Sequence, residues 1–119
     1  MSEIKKTIIA FHYAEKIKSN LIITASLLEV LGSMKNEEIA GAEKLLLAYL
    51  NALIHEVNIA ANASGVEGFQ NVNAKLNEIV NHIKEHSYVN LMPLVSEAIS
   101  ITTTNGNQAA EILKKKNLI

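Results

Sequence analysis

The sequence predicts an all-α fold: an up-and-down helical bundle of four main helices plus a short C-terminal helix. Three observations carry that prediction. Aliphatic residues recur at three-four spacing over long stretches, the period of an α-helix face. Only one Pro and five Gly punctuate 119 residues. Aromatics make up 4% of a chain that is 49% hydrophobic, so the core is mainly Leu, Ile, Val and Ala, which favours helices over a β-sandwich. A charged fraction of 19% is too low for a disordered chain, and the length suits one domain, residues 1–119.

The first helix is predicted over Glu3 to Leu31, where Ala14, Ile17, Leu21, Thr24, Leu28 and Leu31 share one face and Gly32 occupies the position of a left-handed stop. Ile4, Ile8 and Phe11 continue an apolar face in a different phase, which leaves room for a bend near Lys18-Ser19-Asn20. The second helix begins after Ser33 or Asn36, with Glu37 and Glu38 in its first turn, and ends near Ser64-Gly65. It carries two apolar stripes side by side: Ile39, Ala42, Leu46, Tyr49 and Leu53 on one, and Leu47, Leu50, Ile54, Val57 and Ala61 on the next. That width exceeds what one neighbouring helix covers. The helix is therefore either central to the domain or buried against another subunit, with Leu46, Leu47, Leu50, Leu53, Ile54 and Val57 as the interface candidates.

The third helix, about Glu67 to His86, has the strictest pattern, with Phe69, Val72, Leu76, Ile79 and Ile83 in a three-four-three-four seam. A fourth is expected from near Asn90 to Thr104, with Pro93 in the first turn where a missing N–H is tolerated, and Asn105-Gly106 ending it. Gln108 to Lys116 completes the chain as a short fifth helix whose terminal lysines suit a helix C-terminus.

Composition removes most familiar chemistry. All twelve acidic residues are Glu and all eleven basic residues are Lys; Arg, Asp, Cys and Trp are absent. There is consequently no Ser-His-Asp triad, no guanidinium clamp and no thiolate or zinc-knuckle chemistry. His82, His86 and Glu78 are the best metal candidates, because residues four apart share a helix face, but one turn supplies only two imidazoles. None of the Glu is followed three residues later by the His of a paired-metal bundle centre, and His55-Glu56 lacks the second His of a metalloprotease motif. No catalytic, cofactor or metal site is expected, and no enzymatic activity.

Of thirteen Asn, Asn73, Asn77 and Asn81 line one edge of the third helix and Asn51, Asn58 and Asn62 the polar side of the second, edges able to hydrogen-bond a partner or each other, while compositional drift in an A/T-rich coding sequence accounts for their abundance more simply. A net charge of −1 with no Arg disfavours nucleic acid as a partner. The start of the chain precedes no apolar run of signal-peptide length, and Leu45 to Ala61 carries too many polar groups to span a bilayer, so a cytoplasmic protein without membrane contact is expected. The leading functional reading is a non-enzymatic helical assembly or protein-interaction module, self-associating as a homodimer or higher oligomer or docking on a larger subunit. The alternative is an accessory helical subunit of a nucleoprotein or prokaryotic defence complex, for which clustering of Lys5, Lys6, Lys16, Lys18 and Lys114 to Lys116 would speak.

Overall fold

The computed structural model describes residues 2–119. Four helices follow one another: α1 Glu3–Gly32, α2 Asn36–Ser64, α3 Glu67–Lys84 and α4 Leu91–Lys115. Each packs on two others in the ring α1, α2, α3, α4 and back to α1, the up-and-down arrangement that short connections enforce. The bundle is a rod of 54 × 20 × 17 Å. Among the described residues there is no strand, and no helix is long and apolar enough to cross a membrane.

Helix α1 starts at Ser2, whose hydroxyl accepts from the Lys5 N–H at 3.2 Å, and runs unbroken past Ser19. The out-of-phase residues Ile4 and Ile8 produce no bend, because α4 covers the face of Ala10, Ala14 and Ile17 while Ile4 and Ile8 stay exposed. Gly32 is not a left-handed stop. The helix ends in tight turns from Ser33 N–H to Val30 C=O and Met34 N–H to Leu31 C=O, with the Ser33 hydroxyl also donating to Val30 C=O. The left-handed glycine is Gly65, φ 71°, which closes α2.

At the start of α2 the Lys35 N–H donates to the Glu38 carboxylate at 3.1 Å. Lysine has no acceptor to return the bond, so only half of a capping box forms. The two α2 stripes are resolved by packing within one chain: Leu46, Leu50, Leu53 and Val57 are buried, and Leu47, Tyr49 and Ile54 pack against the same core between α1 and α3. The seam of α3 is completely covered, with Phe69, Val72, Leu76, Ile79 and Ile83 all at 0% exposure.

The expected break in the last helix does not occur: Asn105-Gly106 lies inside one continuous α4, and no separate fifth helix stands apart from it. Packing, not chain reversal, explains the pair. The Asn105 side chain lies where any Cβ at Gly68 of α3 would stand, and a Cβ at Gly106 would approach the Ala14 Cβ of α1 to 3.2 Å. One residue presses on α3 and the next lets α1 come close. Asn117, φ 58°, is the left-handed residue that terminates α4, with the Leu118 N–H returning to Leu113 C=O.

Candidate functional site

The sequence-derived interface candidates separate into two groups. Leu46, Leu50, Leu53 and Val57 are core residues, and Leu47 and Ile54 are partly buried against that core, so none of them presents a free apolar face. The correction has a simple cause: an α-helix with neighbours on two sides buries a wide stripe without any second chain.

The apolar surface that remains lies one step round the helix. A groove of about 200 Å³ runs between α1 and α2 near their connection. Leu31, Leu46 and Tyr49 are the less exposed residues of its lining, and Leu27, Val30 and Leu45 are its exposed rim. Leu45 is 76% exposed, and Ile22 and Ile23 are exposed earlier along α1. On α2, Gly41, Leu45, Ala48 and Ala52 follow a four-three-four spacing, and all four are exposed. A Cβ on Gly41 would meet nothing within 4 Å. Nothing inside the chain requires glycine there, yet glycine within a helix costs roughly 0.5–1 kcal/mol relative to alanine. The signal was present in the sequence, but the two richer stripes of the same helix outweighed it.

Beside this groove, the α3–α4 turn is fastened to α2 by a polar cluster that sequence reasoning missed. Glu43 is buried, and its carboxylate accepts from His86 Nδ1 at 2.9 Å and from the Tyr88 hydroxyl. Burial by itself would raise the Glu43 carboxyl, but the Tyr88 hydroxyl and the His86 ring outweigh it and hold the group below the usual carboxylate value. The same arrangement, burial first and the carboxylate second, pushes the Tyr88 hydroxyl up to about 12. Glu43 continues the four-three-four spacing of Ile39, Leu46 and Leu50, so a charge on the buried face was the available clue.

His86 is removed from the predicted metal pair by this cluster. Helix α3 stops at Lys84 and His86 takes φ 59°, the left-handed position of a Schellman turn in which Ser87 N–H returns to His82 C=O and His86 N–H to Ile83 C=O. The i,i+4 geometry of His82 and His86 is thereby lost, and Glu78 is exposed on the helix surface. Among the described residues no three His or Glu side chains converge on a point that would hold a metal ion.

Of the Asn on the α3 edge, Asn73 is buried and joins two helices, its amide donating to Asn58 Oδ1 at 2.5 Å on α2. Asn77 bonds only its own helix, at Asn73 C=O. The lysines form no single face: Lys16 is paired with Glu56 at 2.7 Å, and Lys18, two residues on, is rotated about 200° round α1. Lys5, Lys6 and Lys114 to Lys116 share one end of the rod because α1 and α4 run antiparallel.

The fold and these sites define a four-helix up-and-down bundle with an unpartnered apolar groove on its α1–α2 side. No protein-family model matches the chain, and neither the curated proteins nor the solved structures give a significant match.

Proposed function

We propose that this protein is a non-enzymatic helical assembly module that self-associates through the α1–α2 face. The observation that carries the reading is the knob-and-hole character of that face: Leu45 projects from α2 beside a groove lined by Leu27, Val30 and Ala42. A two-fold contact uses each such feature twice, the knob of either copy entering the groove of the other. Gly41, Ala48 and Ala52 flank the knob with side chains small enough for a second helix to approach closely.

The test is sedimentation of the native chain and of Leu45→Lys. The native protein is expected to be a dimer at about 100 μM, and the variant a monomer of unchanged helicity, because an ammonium buried without a partner costs several kcal/mol. A native monomer at that concentration, or a variant that still dimerises, overturns the proposal.

A further inference from the structure

The clip on Glu43 is closed on one side and open on the other. Tyr88 is half-buried and packs against the core, whereas the His86 side chain is 73% exposed. His86 Nδ1 lies 2.9 Å from both oxygens of the buried carboxylate, so that edge of the ring is turned inward and the Nε2 edge is turned to solvent. Tyr88 by itself ties the turn to α2. The backbone adds a second observation: His86 stands at φ 59°, the left-handed position of a Schellman turn, where glycine is the residue without a steric penalty. An imidazole is thus kept where the turn alone favours glycine, and only one of its nitrogens is used by the fold.

The used nitrogen sets the chemistry of the other. A carboxylate can only accept, and the two donors keep Glu43 ionised, so the ring proton is on Nδ1 and the free lone pair is on Nε2. The same carboxylate lies where it offsets the positive charge that the ring gains when Nε2 forms a bond. Among the described residues no other His is held in this way; His12 and His55 are exposed without a carboxylate on the ring. A metal ion needs three or four ligands, and no further His or Glu converges here. A single oriented, solvent-facing imidazole suffices for one kind of event, acceptance of a transferable group by the nitrogen. An acyl group on imidazole is soon lost to water, whereas a phosphoryl group persists at neutral and alkaline pH.

We propose that His86 is a phosphoryl-accepting histidine, modified at Nε2 by a small high-energy phosphoryl donor of the phosphoramidate or acyl phosphate class, with Glu43 as its positioning residue. With phosphoramidate, whose nitrogen already carries three protons at neutral pH, the Nε2 lone pair forms the new N–P bond while the P–N bond of the donor breaks and ammonia leaves. The ring proton remains on Nδ1 against Glu43. The site is separate from the self-association face, since Glu43, His86 and Tyr88 do not line the α1–α2 groove.

The test is incubation of the native protein, labelled with ¹⁵N-histidine, with phosphoramidate at about pH 8, followed by phosphorus and ring-nitrogen NMR. His86 is expected to react about tenfold faster than His12 and His55, the exposed references in the same chain, and at Nε2 alone. Its phosphoryl group should be lost in acid and kept in alkali, which separates it from a phosphate ester on Ser87. Glu43→Gln, whose amide oxygen still accepts from Nδ1, should keep the Nε2 position and lose most of the rate advantage. A turn that had simply come loose would give both nitrogens instead. The comparison among the three histidines of the native chain stands whether or not that variant folds. Equal rates at His86, His12 and His55, modification of His86 at Nδ1, or an undiminished advantage in folded Glu43→Gln overturns the proposal.

Discussion

Helices α1 and α3 belong to the same bundle and spend their apolar residues differently. Every large aliphatic or aromatic residue of the α3 seam is fully buried, and α3 has none among the exposed large hydrophobics. Helix α1 exposes six: Ile4, Ile8, Ile22, Ile23, Leu27 and Val30. A helix whose apolar residues all face the core is explained by folding alone. One that shows them on several sides has apolar surface left over, and two of the six, Leu27 and Val30, line the groove it shares with α2.

The contrast breaks most severely at Phe69. Phe69→Ala is expected to lower unfolding free energy by about 3–5 kcal/mol, read from the denaturant midpoint, because a fully buried ring leaves a cavity the neighbouring helices only partly fill. Leu27→Ser on the groove rim, where the side chain is 38% exposed, should cost the isolated chain about 1–2 kcal/mol, well short of Phe69→Ala, while weakening association. Equal losses for the two would erase the distinction between a folding helix and an interface helix.

Next in size is the clip between α2 and the α3–α4 turn. Glu43→Gln removes a charge-assisted acceptor from Tyr88 and His86 and should destabilise by about 1–3 kcal/mol near pH 7. The sign with pH follows from the lowered carboxyl. A group whose folded value lies below its ordinary 4.5 contributes stability that is fully present above that ordinary value and is lost as pH falls through the folded one. The gap between native protein and Glu43→Gln should therefore close on acidification below 4.5. A gap that widens there would show that the carboxylate is not what holds the turn.

The smallest expected effect is the most discriminating. Gly41→Ala adds a methyl group where nothing lies within 4 Å, and should stabilise the isolated chain by roughly 0.5–1 kcal/mol through reduced chain entropy. If a second copy packs its helix there, the same methyl group weakens the dimer. Opposite signs in thermal melting of a dilute sample and in sedimentation would sharpen the comparison; the same sign in both would place the contact elsewhere. Gly106→Ala is the internal counterpart: the Ala14 Cβ stands 3.2 Å from the added atom, so crowding opposes the helix-propensity gain and the variant should be less stable than Gly41→Ala.

Much of this architecture is legible along the chain because it depends on local spacing. The Phe69 to Ile83 seam has one period and one face, so helix and burial follow from the same residues. The C-terminal end of α2 follows from Gly65, since glycine takes φ > 0 cheaply, whereas its start is capped by neither Ser33 nor Asn36: Lys35 is the N-cap without a side-chain bond, and the Ser33 hydroxyl serves the end of α1. The same local logic fails at Asn105-Gly106, a pair that reads as a stop and is instead a double close approach.

What tertiary structure alone decided is which neighbour each face meets. Leu46, Leu50, Leu53 and Val57 read as surplus only until α1 and α3 are placed on either side of them, whereas Leu45, one position away, is left outside by a rotation of about 100°. Glu43 and His86 are 43 residues apart and meet only because the α3–α4 turn ends beside α2. Asn105 and Gly68 likewise meet across two helices. Periodicity states that a side chain lies on a face; the partners of that face are fixed by long-range packing, whose distances no local spacing contains.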